Sequence, residues 1–338
     1  MQIETSKSLQ PFNTFGIRAT AAYYVAIEDV PALQLFLKSD YPEPDNMLVL
    51  GGGSNLLFTG DFDGLVLHML NKGIEIISED ENGIEVRVQA GEVWDDFVTW
   101  CTERNLYGVE NLVAIPGSVG AAPVQNIGAY GAEVKDVIAS VDTVTIEDGD
   151  LRTLTAAACG FGYRSSIFKR ELRGRAIITS VVFRLQKSGV LNTGYGDVQK
   201  MLSERGITDP RPADIAAVIR SIRSAKLPDP AITGNAGSFF KNPVIGEVEA
   251  KALRASHPGL PCWPQPDGTV KLAAGWLIEQ CRLKGFRMGN AAVHDRQALV
   301  LVNAGGATGY EVMALANHII KTVWLQFGIR LEPEVNIL

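Results

Sequence analysis

The sequence has few of the residues that build disulfide frameworks and zinc sites. Its 338 residues include four cysteines and four histidines, and no two cysteines have the C-x-x-C spacing. Disulfide scaffolds and zinc sites need clustered ligands, so isolated cysteines in a long chain are more typical of buried thiols. We therefore expect no disulfide and no metal site, and we expect each histidine to have a structural role.

The sequence also lacks an excess of basic residues and long apolar runs. Lysine and arginine number 31 against 38 aspartates and glutamates, a formal charge of −7. A nucleic-acid partner is not expected, because nucleic-acid-binding surfaces are strongly basic. Residues 1–10 are polar, unlike a signal peptide, and no stretch reaches the 18 apolar residues of a membrane span. We expect a cytoplasmic protein without a membrane partner.

Two common nucleotide-binding motifs are absent as well. The chain has no G-x-G-x-x-G, and the dipeptide Gly-Lys of the P-loop never occurs. Glycine is nevertheless abundant, with 34 residues that are often grouped in short runs. Grouped glycines indicate tight turns or backbone lying close to a ligand.

Apolar runs rich in β-branched residues occur between helical patterns along the whole chain. They predict strands at Met47–Leu50, Val86–Gln89, Ile177–Leu185 and Ala298–Asn303. Helices are predicted over Val93–Arg104 and Ala213–Leu227. The mixture predicts an α+β (mixed α/β) chain. Prolines near residues 209–212 and 227–230 place a domain boundary near residue 222.

The clearest helix lies near the C-terminus. Thr308 and Glu311 form a T-x-x-E capping box, which predicts the start of this helix. Gly328 stands where a left-handed C-terminal cap is expected.

Two glycine-containing segments are candidates for a ligand site. Residues 48–57 read LVLGGGSNLL, a strand that runs into a loop whose N–H groups suit a pyrophosphate; a ligand-free glycine turn is the alternative. Residues 115–131 read IPGSVGAAPVQNIGAYG, and their small side chains would let a large planar ligand lie on the backbone. The apolar residues between these glycines favour an ordered wall over a flexible loop.

Several polar side chains are candidates for chemistry. Arg164, beside Tyr163 in GFGYRSSIF, suits a carboxylate, although a solvated arginine is the alternative. Ser238 in GNAGSFFKNP is either reactive or a turn or capping serine. In LEPEV, Glu332 and Glu334 flank Pro333 in an extended segment whose side chains alternate between faces, and one of the two glutamates is expected to point inward.

A series of motifs follows one order along nearly the whole chain: NTFGIRA, LGGGSNLL, GVENL, IPGSVGAAPVQNIGAYG, FGYRSSIF, TGYGD, KLPDP, GNAGSFFKNP, KLAAGWLIEQC, AAVHDRQALVLVN and LEPEV. In this order they resemble the UDP-N-acetylenolpyruvoylglucosamine reductases, the MurB family. The TGYGD segment resembles the mobile tyrosine loop of the longer subtype. The family function implied is reduction of UDP-N-acetylglucosamine enolpyruvate to UDP-N-acetylmuramate, a step of peptidoglycan synthesis and thus of cell wall biogenesis, cell shape and cell division.

The resemblance implies an FAD-binding fold of the vanillyl-alcohol oxidase type in two lobes, residues 1–67 and 68–222. A separate α/β substrate-binding domain, residues 223–318, would follow, with residues 319–338 returning to the first lobe. FAD would be bound noncovalently, and NADPH would be the co-substrate of a monomeric enzyme. The implied FAD contacts are Gly51, Gly52, Gly53, Ser54, Asn55, Leu56, Ile115, Pro116, Gly117, Ser118, Val119, Gly120, Ala121, Gln125, Asn126, Ile127, Gly128, Ala129, Tyr130 and Gly131.

The resemblance also implies the catalytic and substrate-binding residues. Arg164 and Glu332 would stabilise the substrate carboxylate as charge develops on it, and Ser238 would give a proton to C2. Glu332 would have to be buried to keep its proton. The implied substrate contacts are Tyr163, Tyr195, Lys226, Asn242 and Gln297.

Two other functions remain open at this point. A flavin-dependent alcohol oxidase could use the same scaffold without a serine acid or a carboxylate clamp. A non-enzymatic nucleotide-sugar binding protein would purify colourless and keep its affinity without Arg164 and Ser238.

Overall fold

The helices of the protein are few and mostly short. A computed structural model describes residues 2–39 and 46–338. The α-helices in these residues are α1 (Val30–Leu37), α2 (Trp94–Glu103), α3 (Gly196–Glu204), α4 (Pro212–Lys226), α5 (Glu247–Ser256), α6 (Ala274–Gln280) and α7 (Gly309–Phe327). None of the helices in these two ranges has the length and apolarity needed to cross a bilayer.

Strands are more numerous. Those in the described residues are β1 (Glu4–Ser8), β2 (Thr20–Ile27), β3 (Met47–Leu50), β4 (Leu56–Leu57), β5 (Phe62–Met69), β6 (Ile74–Glu79), β7 (Gly83–Gln89), β8 (Gly128–Ala129), β9 (Ala132–Glu133), β10 (Ile138–Thr145), β11 (Leu151–Thr155), β12 (Ala176–Gln186), β13 (Asn235–Ser238), β14 (Val244–Gly246), β15 (Cys262–Pro264), β16 (Thr269–Leu272), β17 (Arg287–Met288), β18 (Ala291–Val293), β19 (Val300–Asn303) and β20 (Asn336–Ile337).

The chain divides into two compact units. The first contains the described residues of Met1–Lys7, Ala21–Gly52 and Asp63–Ala225. The second contains Ser8–Thr20, Gly53–Phe62 and Lys226–Leu338. The finer division into two FAD-binding lobes and a substrate-binding domain stays a prediction.

The first unit is built on two sheets. One has the order β1-β2-β5-β3, in which β3 and β5 run parallel and Leu50 pairs with His68. The other has the order β11-β10-β12-β7-β6 and is antiparallel throughout. The predicted strands Met47–Leu50, Val86–Gln89 and Ile177–Leu185 are confirmed as β3 and as parts of β7 and β12.

Helix α2 is held to the second of these sheets by one apolar face. Trp94, Phe97, Val98 and Cys101 follow the i, i+3, i+4, i+7 spacing of an amphipathic helix, and all four are buried. The ring centroid of Phe97 lies 4.7 Å from that of Phe183 on β12. The indole N–H of Trp94 donates to the Leu112 carbonyl over 2.8 Å. This packing fixes the chain immediately before the segment 115–131.

The second unit contains an antiparallel sheet of order β13-β19-β18-β17 and a three-stranded antiparallel sheet of order β14-β16-β15. Helix α7 packs on β17, β18 and β19. The predicted caps of α7 are confirmed. Thr308 Oγ1 accepts from Glu311 N (3.2 Å), Glu311 Oε2 accepts from Thr308 N (2.8 Å), and Gly328 has φ +69°.

Most predicted boundaries agree within one residue. Helix α2 leaves out only the end residues of the predicted Val93–Arg104, and α4 begins at Pro212. The largest difference is β7, which begins at Gly83, three residues before the predicted Val86, and β19 begins at Val300 rather than Ala298. Val300 N donates to the Gln297 carbonyl over 3.0 Å, so the chain is still turning at Ala298.

Candidate active site

The loop after β3 lies directly on the second glycine segment. Within the first unit, a Cβ added to Gly52 would stand 2.8 Å from Gly117 Cα, and a Cβ on Gly51 would overlap Ser118 Oγ. Only glycine permits backbones to approach this closely. The two segments that were predicted to hold one ligand are therefore in contact, and Gly52 remains exposed.

The next glycine has a further reason to lack a side chain. Gly53 has φ +62°, and within the second unit a Cβ on it would overlap the Phe12 carbonyl oxygen. Gly53 O also accepts from Thr14 N over 3.1 Å. The sharp turn after β3 is thus set by backbone contacts.

The segment 115–131 forms an ordered wall rather than a flexible loop. Gly120 N donates to Ala90 O (2.9 Å) and Val119 N to Glu92 O (2.8 Å). A Cβ on Gly120 would stand 2.6 Å from Ala90 Cβ. Val119 and Asn126 are fully buried. The small side chains therefore serve for packing against the chain that follows β7, and their contact with a planar ligand stays a prediction.

Arg164 lies beside this wall. Its Nη2 donates to the Gly128 carbonyl over 3.0 Å, and its Cζ is 5.7 Å from the centre of the Tyr163 ring. Its φ of +52° is in the left-handed region, which residues with a Cβ rarely adopt. The arginine predicted to clamp a carboxylate is thus joined to a segment predicted to hold the cofactor.

Tyr195 reaches the same wall from another side. Its ring centroid is 5.6 Å from that of Tyr130 in an edge-to-face arrangement, and its side chain is about half exposed. It occupies the N-cap position of α3. The first unit therefore brings together Arg164, Tyr163, Tyr195 and the second glycine segment.

Ser238 is the last residue of β13 in the second unit and pairs with Val300 of β19. Gly237 before it has φ +69°, and its N–H donates to Asn235 Oδ1 (2.9 Å). Asn235 is itself buried, and its Nδ2 donates hydrogen bonds to the carbonyls of Pro228 and Thr233. Ser238 is therefore the last residue of a strand and follows a turn that the Asn235 side chain holds in place. It is not a helix cap.

Three other predicted substrate contacts belong to the second unit. Asn242 Oδ1 accepts from Ala274 N at the start of α6 over 3.0 Å, so part of its amide already has a structural role. Gln297 is half-buried and closes the turn before β19. Lys226, the last residue of α4, is exposed.

The two glutamates of LEPEV differ in exposure. The Glu332 side chain is 71% exposed and its Oε2 lies 3.3 Å from Lys241 Nζ. The Glu332 side chain is therefore not buried, in contrast to the expectation from the resemblance. Glu334 is half-buried, and its N–H donates to the carbonyl of Phe239, the residue after Ser238, over 2.8 Å. Of the pair, Glu334 is the less exposed glutamate, and its backbone is bonded to the residue after Ser238.

Comparisons of the sequence with known proteins identify its family. Residues 21–155 match a family model described as an FAD binding domain, and residues 229–338 match one described as the C-terminal domain of UDP-N-acetylenolpyruvoylglucosamine reductase. A UDP-N-acetylenolpyruvoylglucosamine reductase of Chromobacterium violaceum is 50% identical over 339 residues, covering 100% of this chain and 99% of the relative. The chain belongs to the UDP-N-acetylenolpyruvoylglucosamine reductase family.

A second relative supports the family, and a solved structure supports the fold. A UDP-N-acetylenolpyruvoylglucosamine reductase of Neisseria meningitidis serogroup C is 50% identical over 331 residues, 98% of this chain and 96% of the relative. The crystal structure of the Thermus caldophilus reductase matches with a TM-score of 0.68 at 24% identity, covering 100% of this chain and 99% of that one. The predicted family, its mixed α+β fold with an FAD-binding domain and its enzyme class, an FAD-dependent oxidoreductase, are confirmed. The family favours a reductase over both alternatives raised above.

Two residues beside the reductase's glycine wall were not predicted from the sequence. Asn111 is buried, and its Nδ2 donates hydrogen bonds to the carbonyls of Tyr130 and Asn192. Its Oδ1 has no partner among the described residues. Arg223 donates from Nε to Ala114 O (3.2 Å), and burial lowers its pKa. In the sequence, Asn111 lies within the GVENL motif and Arg223 lies three residues before the KLPDP motif. Neither residue type in these places indicates a ligand contact by itself.

Proposed function

We propose that the protein reduces UDP-N-acetylglucosamine enolpyruvate to UDP-N-acetylmuramate, with NADPH as the electron donor and FAD as the carrier. It would act as a cytoplasmic monomer in peptidoglycan precursor synthesis. The observation that carries the proposal is the direct contact of Gly51 and Gly52 with the wall 115–131, with Arg164 bonded to that wall. The full-length relationship to reductases of this name supports it.

The residues of the first unit fit a bound FAD. The glycines at 51, 52 and 117 leave backbone with no side chains in the way, and Gly52 is exposed. Oδ1 of Asn111, which has no partner within residues 2–39 and 46–338, offers an acceptor, since a buried polar atom needs a partner. Bound there, FAD would supply the hydride that adds to C3 of the enolpyruvyl group.

Arg164 is proposed to hold the substrate carboxylate. Adding a hydride at C3 leaves negative charge at C2, which spreads into the adjacent carboxylate. A guanidinium pairs with a carboxylate through two parallel hydrogen bonds and stabilises this charge more as it grows. Because Gly128 O already accepts from Nη2, the arginine is oriented before substrate binds.

Ser238 is proposed to complete the reduction by giving its hydroxyl proton to C2. A serine is a weak acid, but a proton donor held within hydrogen-bond reach of a carbanion needs position more than acidity. A carboxyl group from LEPEV would donate a hydrogen bond to the substrate carboxylate. The resemblance gave this role to Glu332, whereas half-burial beside the serine motif leads us to propose Glu334.

The remaining predicted contacts would bind the nucleotide part of the substrate and of NADPH. Lys226 would give positive charge to the diphosphate, and Asn242 and Gln297 would give amide groups. Tyr163 and Tyr195 would contact the substrate from the first unit. The half-exposed Tyr195 would close over the nucleotide, as a tyrosine loop of the longer subtype does.

The test is to replace Ser238 and measure the two half-reactions separately by stopped-flow absorbance of the flavin. In Ser238→Ala, NADPH should still reduce the flavin within about twofold of the wild-type rate. Reoxidation by the enolpyruvyl substrate should slow by about 100- to 1000-fold. Ser256→Ala is the matched control, because its hydroxyl donates to a helix carbonyl in the same unit. Equal loss in both half-reactions would contradict the role of Ser238.

A further inference from the structure

The loop that carries Arg164 is hydrogen-bonded at both of its ends to the wall formed by residues 115–131. Two residues before Arg164, the Gly162 carbonyl accepts from Asn126 Nδ2 over 3.1 Å. Two residues after it, Ser166 Oγ donates to the Val124 carbonyl over 2.6 Å. Arg164 itself bonds to Gly128 between these points. The loop is thus bonded to alternate residues of one short stretch of wall.

Neither attaching side chain is a surface feature. Asn126 and Ser166 are both fully buried. Both ends of the Asn126 amide have partners, since Nδ2 donates to Glu133 Oε2 as well as Gly162 O, and Oδ1 accepts from Lys135 N, each over 3.1 Å. A buried amide or hydroxyl that loses such a bond is left unpaired, which destabilises the folded protein. The folded state therefore keeps these contacts in a defined geometry.

The backbone between the two attachments is strained. Arg164 has φ +52°, a conformation that persists for a residue with a Cβ only when the surrounding structure imposes it. Gly162 and Ser165 exchange backbone hydrogen bonds of 2.9 and 3.2 Å, which closes the turn around Arg164. The two attachments and this turn together fix the backbone from which the Arg164 side chain extends.

We infer that Ser166 and the side chain of Asn126 are positioning residues that act through Arg164. They hold the loop so that the guanidinium meets the substrate carboxylate in the orientation in which charge develops. This inference rests on the proposed role of Arg164 and adds to it the residues that fix its geometry.

The first test removes one attachment. In Ser166→Ala, NADPH should reduce the flavin within about twofold of the wild-type rate. Reoxidation by the enolpyruvyl substrate should be about 10- to 100-fold slower, since a misplacement near 1 Å has an effect of this size. Asn126→Asp keeps the side-chain shape and tolerates a positive φ, but it loses the donor to Gly162, so reoxidation by the enolpyruvyl substrate should slow in this variant too.

The matched control is Thr143→Val. Thr143 is also buried in the first unit, and its hydroxyl donates to the Arg152 carbonyl over 3.1 Å. Thermal unfolding of the FAD-free protein should show a lower midpoint for both Ser166→Ala and Thr143→Val, whereas only Ser166→Ala should be slow in reoxidation. Slow reoxidation in both variants at matched stability would overturn the inference.

A double-mutant cycle decides whether Ser166 acts through Arg164. If it does, Arg164→Ala/Ser166→Ala should reoxidise within about twofold of Arg164→Ala alone, because the second change has nothing left to misplace. If the rate losses of the two single variants multiply in the double variant, the positioning role is overturned. If Arg164→Ala alone reoxidises at the wild-type rate, the proposed function of Arg164 fails, and the positioning role with it. If Arg164→Ala is slow but Ser166→Ala is not, only the positioning role fails.

Discussion

The different exposure of Glu332 and Glu334 leads to a prediction at the scale of single residues. Glu334→Ala should slow reoxidation of the flavin by the enolpyruvyl substrate by about 100- to 1000-fold, and Glu334→Gln should be milder because an amide still donates a hydrogen bond. Glu332→Ala should change the rate less than about threefold, because an exposed ion pair with Lys241 contributes little.

Stopped-flow reoxidation of the three variants, each preloaded with FAD and reduced by NADPH, makes this comparison. The opposite ranking, with Glu332→Ala slow and Glu334→Ala fast, would return the carboxyl role to Glu332.

His68 is a second residue whose surroundings have a measurable effect. It is buried on β5, and its Nδ1 lies 2.8 Å from the Tyr24 hydroxyl. Burial lowers its pKa, and a hydrogen bond with the Gly51 backbone partly opposes this. The unfolded chain therefore takes up a proton first as pH falls below about 6.5, which favours unfolding. The contribution of His68 to stability is present above pH 6.5 and is lost as pH falls towards the folded-state pKa.

The prediction is that His68→Gln has a shallower loss of stability between pH 7 and pH 5 than the wild type. The difference can reach about 1.4 kcal/mol per pH unit for one proton. Urea unfolding at pH 7, 6 and 5 measures it, with His318→Gln as the control for removing a histidine elsewhere. Parallel pH profiles for wild type and His68→Gln would show that His68 does not titrate in this window.

At the scale of elements, local patterns were sufficient for much of the fold. The strands β3, β7 and β12 and both caps of α7 follow from β-branched runs and from residues at fixed offsets, which act over a few positions. The exposure of Glu332 and the attachments of Arg164 could not be read in this way. The bond from Ser166 to Val124 joins residues 42 positions apart, and which glutamate of LEPEV turns inward depends on packing beside β13.

The capping box of α7 gives a prediction at this scale. Thr308→Ala removes the oxygen that accepts from Glu311 N and should lower the free energy of unfolding by about 1 kcal/mol. Thr308→Ser keeps that oxygen and should stay within about 0.5 kcal/mol of wild type. Urea denaturation of the FAD-loaded protein measures both, and equal destabilisation by the two changes would show that the hydroxyl is not the cause.

At the scale of the whole molecule, the division into units does not follow chain order. The second unit takes Ser8–Thr20 and Gly53–Phe62 from the N-terminal part in addition to Lys226–Leu338. Thr14 Oγ1 donates to the Asn235 carbonyl over 2.6 Å, and the Phe15 and Phe239 rings meet edge to face at 6.4 Å. Strand β4 pairs with β20. The family model for residues 229–338 therefore covers only part of this folding unit.

We predict that a fragment of residues 226–338 does not fold alone. It would lack five apolar side chains that are buried in the protein: Leu9, Phe15, Ile17, Leu57 and Phe58. At about 1.5–3 kcal/mol each their burial contributes on the order of 10 kcal/mol, as much as the whole stability of a typical domain. The fragment should show no cooperative thermal transition by circular dichroism and no dispersed amide resonances, whereas the full chain in the same buffer should show both. A folded fragment would mean that the N-terminal segments dock onto a core that is stable without them, and the second unit would then be a domain in its own right.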